Sequence, residues 1–79
     1  MYRKISEILE NPTEYKNCKC CGNVNHVDNA NCSYCGENIK LSPTMSTTMV
    51  NLKMNTKIEF MMEYDEITQE EAINTEILI

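Results

Sequence analysis

From Thr48 to Asp65 the chain alternates in character. Thr48, Val50, Leu52 and Met54 interleave with Met49, Asn51 and Lys53, and after Asn55-Thr56 the residues Ile58, Phe60, Met62 and Tyr64 interleave with Lys57, Glu59, Met61, Glu63 and Asp65. A period of two places one set on a single face of an extended chain. The pattern predicts a β-hairpin turning at Asn55-Thr56, with Val50, Leu52, Ile58, Phe60 and Met62 on its buried face. Asn-Thr is a weaker turn signal than Asn-Gly. Two strands alone are not independently stable, so the apolar face needs cover from elsewhere.

Helical signals flank this segment. Tyr2, Ile5, Ile8 and Leu9 recur at helical spacing and Asn11-Pro12 stops them, which predicts an amphipathic helix over residues 2–10. At the other end Thr68-Gln-Glu-Glu71 has the form of a capping box, with Ile67 placed to staple against Ala72, and it predicts a second helix carrying Ile73 and Ile77 on one face. The chain closes on Glu-Ile-Leu-Ile. That apolar end needs cover, from the hairpin or from a neighbouring subunit. Six methionines suit either a forgiving small core, the preferred reading, or an adaptable contact surface.

The segment between these regions has another logic. Both glycines of the chain, Gly22 and Gly36, directly follow a Cys-x-x-Cys pair: Cys18 with Cys21, and, ten residues on, Cys32 with Cys35. Two cysteines three positions apart on a tight turn can direct both sulfurs at one ion, and a glycine free to adopt positive φ lets the backbone curl beneath it. Four thiolates at about 2.3 Å describe a closed tetrahedral structural zinc site with no open position for water or substrate. One zinc per chain, held by Cys18, Cys21, Cys32 and Cys35, is the expectation, with iron as the alternative metal. Cys20 falls between two ligands and should point away. His26 is expected in a solvent-exposed loop, since four thiolates already fill the shell.

The run Cys18 to Gly36, with Asn25 and Asp28 in the places the pattern expects, resembles the short zinc-ribbon family. The resemblance covers about a quarter of the chain and implies two metal-binding knuckles joined by a short β-hairpin. Where the family often has an aromatic before the third cysteine this chain has Asn31, so Val24, Val27, Ala30 or Tyr34 is the expected lid over the metal. The fold class is then a small metal-stabilised α+β protein: an N-terminal helix and connector (1–15), a ribbon (16–40), and a hairpin with a C-terminal helix (41–79). Zinc ribbons serve many processes, so the resemblance names no function.

Size makes the metal important, because 79 residues is a length at which an apolar core is marginal. An odd count of five cysteines, no apolar run of signal-peptide length and no stretch of about 18 apolar residues predict a cytoplasmic, reducing home with metallated cysteines and no membrane contact. Residues 57–79 carry a balance of −6 and residues 16–40 a balance of +1, and the chain has a single arginine, Arg3. That is far from the basic stripe of a duplex-binding module. No glycine-rich phosphate loop or nucleophile–histidine–acid spacing is present, and a non-enzyme is expected. The reading that follows is an adaptor or accessory subunit that binds another protein or a larger assembly, with self-association through its apolar edge. The alternative is a zinc-ribbon regulator of transcription or translation that touches nucleic acid through Lys16, Lys19 and Lys40 with His26 and Tyr34.

Overall fold

Residues Thr47–Tyr64 form one 18-residue helix and not a hairpin. The reason for the difference lies in a coincidence of periods. Val50, Met54 and Ile58, its buried residues, are four apart, a spacing that is two strand repeats and also about one helical turn. The other members of the expected apolar face, Leu52, Phe60 and Met62, are exposed. Local chemistry favours the helix: Ser46 caps it by accepting the Met49 N–H at 3.1 Å, and no glycine or proline interrupts residues 44–79.

The computed structural model describes all residues, Met1–Ile79. In chain order they form β1 (Tyr2–Lys4), α1 (Ile5–Glu10), a short 3-10 turn (Pro12–Glu14), β2 (Tyr15–Asn17), β3 (Val24–His26), α2 (Thr47–Tyr64), α3 (Gln69–Ile73) and β4 (Glu76–Leu78). The strands make two small antiparallel sheets, β1 with β4 and β2 with β3. The expected helix over 2–10 therefore starts only at Ile5. Residues 2–4 are extended because β4 takes their backbone groups, in the register Tyr2↔Leu78, Arg3↔Ile77 and Lys4↔Glu76.

The C-terminal helix is likewise shorter than expected. Its capping box is present in both directions, Thr68 Oγ1 accepting from the Glu71 N–H and Glu71 Oε1 from the Thr68 N–H, but the helix stops at Ile73. Ile77 lies on β4, and the Ile79 N–H continues the pairing to the Met1 carbonyl at 2.9 Å. Cover for the apolar end thus comes from the same chain. Ile79 is fully buried.

One apolar cluster joins these parts. Ile5 and Ile8 of α1, Tyr15 and Val24 of the second sheet, Met45, Val50, Met54 and Ile58 of α2, Ala72 and Ile79 are its buried members. Among the methionines only Met45 and Met54 are buried in it, while Met1, Met49 and Met62 face solvent. Between α2 and α3 the chain reverses at Glu66, the one non-glycine residue with positive φ, at 54°.

Candidate metal centre

Each knuckle is built the same way. In the first, the Gly22 N–H returns to the Cys18 carbonyl at 2.8 Å and the Cys18 N–H to the Asn23 carbonyl at 2.9 Å; in the second, Gly36 returns to Cys32 at 3.0 Å and Cys32 to Glu37 at 2.8 Å. Gly22 and Gly36 have φ of 75° and 78°. A Cβ at Gly22 would meet only the Lys53 Nζ at 3.8 Å, and one at Gly36 nothing, so the glycines answer to backbone conformation and not to crowding. The expected hairpin joining the two knuckles is absent. The first knuckle is itself the turn of the β2–β3 hairpin, and the second is flanked by the single bridge Asn31↔Asn38.

These turns bring the sulfurs of Cys18, Cys21, Cys32 and Cys35 within 4.8 Å of one another. The separation is 3.5 Å from Cys18 to Cys35 and 3.5 Å from Cys21 to Cys32. A tetrahedron with metal–sulfur bonds of about 2.3 Å has edges of about 3.8 Å. The four sulfurs are therefore positioned to hold one metal ion. Cys18 and Cys32 are buried, Cys21 and Cys35 exposed, so the centre has an inner and an outer side. Cys20 is exposed and outside the cluster, as its place between two ligands predicts.

The thiols have opposed tendencies. Burial pushes the Cys32 thiol up, yet the backbone N–H groups of Cys35 and Tyr34 and the Asn25 amide draw it down to about 6. Cys35 goes the other way: the Glu37 N–H favours its thiolate, but desolvation and the sulfurs of Cys18, Cys21 and Cys32 push it up to about 12. Four thiolates crowded together repel, and a divalent cation removes that repulsion. The donor set suits such an ion.

Asn25 is the residue that locks the two knuckles together. It is fully buried on β3. Its Oδ1 accepts from the Ser33 N–H at 2.8 Å and from Asn29 Nδ2 at 3.4 Å, while its Nδ2 donates to the Cys32 Sγ at 3.4 Å. Asn23 Nδ2 donates to the Cys21 Sγ at 3.2 Å, and the Tyr34 N–H to the Cys32 Sγ at 3.4 Å. Donors placed on the sulfurs in this way spread thiolate charge and orient the ligands.

The apolar lid is Ile39, which packs with Cys18 and Cys32. None of the four residues expected there fills that place: Val24 belongs to the main core, Val27 and Ala30 are only half-buried, and Tyr34 is exposed. Asn31 instead donates its side-chain amide to the Gly36 carbonyl at 3.1 Å. An apolar residue four positions after Cys35 was the available signal.

His26 is a strand residue and not an exposed loop histidine. It packs edge-on against Tyr15, and its Nδ1 accepts the Asp28 N–H at 3.2 Å. Lys16 is buried as well, across the ladder from Asn25. Two of the five residues expected to contact nucleic acid are thus largely covered.

Both knuckles are tied to the rest of the molecule. Lys53 of α2 donates to the Gly22 carbonyl at 2.6 Å, and the Tyr34 hydroxyl donates to the Leu78 carbonyl on β4 at 2.7 Å. No helix is long and apolar enough to cross a membrane. Comparison with protein-family models, with curated proteins and with solved structures returned no match to this chain.

Proposed function

We propose that this protein is a small zinc-stabilised adaptor or accessory subunit, acting through protein–protein contacts, in which the metal holds the ribbon and α2 presents the contact surface. The observation that carries the reading is the outward side of α2. Leu52, Phe60 and Tyr64 are 62%, 58% and 66% exposed, and with Met49 they lie within an arc of about 120° at about 100° per residue. Phe60 and Tyr64 stack on one another at 4.4 Å between ring centroids. Large side chains gathered on one helix face, away from the core, mark an interaction site.

Charge indicates what would cover it. Glu59 and Glu63 flank Phe60 and Tyr64 on one side of α2 and Lys57 on the other, with Asp65 and Glu66 just past the helix end and Glu70 and Glu71 in α3, so the charge around the aromatic end is net negative. The complementary partner is an amphipathic helix of another protein, with an apolar ridge flanked by lysine or arginine. Identification of proteins that co-purify with the metallated chain, compared with a Leu52→Glu/Phe60→Glu double variant, tests the proposal. The expected result is one partner bound through a basic amphipathic segment and lost in the double variant, with metal content unchanged. A partner retained by the double variant, or submicromolar binding of nucleic acid at physiological salt, would overturn it.

A further inference from the structure

Resting on the adaptor reading above, we propose that the cleft between α2 and β4 receives one aromatic anchor side chain of the partner helix, and that an acidic residue beside that anchor meets Lys57. Thr56, Lys57, Phe60 and Met61 of α2 line the cleft on one side, and Ile77 of β4 closes the other. Its volume is about 340 Å³, at the small end of the roughly 300–1,000 Å³ of small-molecule sites. That is room for one large side chain and not for a helix.

What would fill the cleft follows from its walls. Met61 and Ile77 pack against the main core yet stay half-buried, so each still has a flank to cover. The Phe60 ring stacks on Tyr64 and is otherwise largely open. A planar ring laid against Phe60 and the Met61 thioether gains aromatic and sulfur contacts beyond simple burial. Those contacts select an aromatic anchor over an aliphatic one, and tryptophan and tyrosine are the side chains on which interfaces most often depend.

Polar groups narrow the choice further. The Thr56 hydroxyl already donates to the Leu52 carbonyl at 2.9 Å. Lys57 makes no ion pair, the single pair of the protein joining His26 to Asp28. Glu76, beside Ile77, turns to the other face of its strand, opposite Lys4. The cleft therefore has apolar walls and one free cation at its rim, which an acidic neighbour of the anchor would answer. Glu59 and Glu63 lie beyond Phe60 and Tyr64 on the far side of the face, where the basic flank of the partner would run. Flanks of opposite sign fix which way round the partner helix lies.

Chemical-shift titrations of the metallated protein, read on backbone amides and on the methyl groups of Met61 and Ile77, test this with indole, indolepropionate and tryptamine as probes. The expected result is indole binding at about millimolar concentration, as a ligand of so few atoms allows, with shifts centred on Thr56, Phe60, Met61 and Ile77. At physiological salt indolepropionate should bind about threefold more tightly than tryptamine, and Lys57→Glu should reverse that order. Thr56→Trp, which fills the cleft from an exposed position, should weaken all three by about tenfold or more with metal content and melting temperature retained. Leu41→Glu, outside the cleft, should bind as wild type. The proposal is overturned by absence of shifts at about 10 mM indole, by shifts centred elsewhere, by undiminished binding to Thr56→Trp, or by a preference of the native protein for tryptamine. Indole reports on the cleft alone, so its failure is distinct from failure of the adaptor reading, which the co-purification decides.

Discussion

The two knuckles and helix α2 are held by different physics. Around the sulfurs the only apolar packing is Ile39 on Cys18 and Cys32, and the order comes from paired turns, amide-to-sulfur hydrogen bonds and four ligands aimed at one point. Around α2 there is no such geometry, and position follows from burial of Val50, Met54 and Ile58 among residues drawn from both ends of the chain. A metal site requires particular residues at particular spacings. An apolar face requires only that enough large side chains fall on one side, so several periodicities can satisfy it. The contrast suggests where substitutions will be punished and where they will be absorbed.

The largest effect expected is that of the metal itself. Structural zinc contributes roughly 10–16 kcal/mol of apparent free energy in small finger peptides, as much as the whole stability of an ordinary domain. Chelation, or Cys32→Ser, should therefore abolish the cooperative melt followed by circular dichroism. Tyr15 and Val24 belong both to the hairpin of the first knuckle and to the main core, so helicity should fall with the metal. Full retention of α2 helicity after chelation would divide the molecule into two independent parts.

Next comes the core itself. Ile58→Ala removes a buried side chain and should cost about 2–5 kcal/mol in denaturant unfolding. Phe60→Ala, two positions along on the exposed face, should cost less than about 1 kcal/mol. A hairpin would make the two equivalent, so equal losses would contradict the helix.

Asn25 offers a finer probe of how the knuckles are joined. Asn25→Ala leaves the Ser33 N–H and the Cys32 Sγ without their buried partner, and should weaken metal retention by about 10–100-fold in a chelator competition. Unchanged retention would mean that the ligands alone orient the site.

The smallest effect is a gain. Glu66 holds a left-handed conformation just past the end of α2, where glycine is the usual occupant. Glu66→Gly should raise stability by up to about 1 kcal/mol, read as a small rise in melting temperature. A loss there would show that the reversal depends on the glutamate side chain.

The four-cysteine cluster and the capping box were legible because their signals are local. Cys18, Cys21, Gly22, Cys32, Cys35 and Gly36 act within a few bonds of one another, and Thr68 and Glu71 are three residues apart. Asn25 was visible as part of a pattern but without a role, since its partner Ser33 lies on the other knuckle. Ile39 offered only its place four positions after Cys35, because its contact with Cys18 exists only once the two knuckles have come together.

Sequence by itself determined the four-sulfur cluster, the two positive-φ turns, the end of α1 at Asn11-Pro12 and the start of α3. Tertiary structure decided the rest. Whether residues 47–64 became a helix or two strands depended on which of two periods sharing a four-residue spacing could bury Val50, Met54 and Ile58 together against α1 and Ile79. Whether residues 2–4 and 76–78 became strands depended on each other, because a backbone hydrogen bond between segments more than seventy residues apart exists only once the core between them has closed.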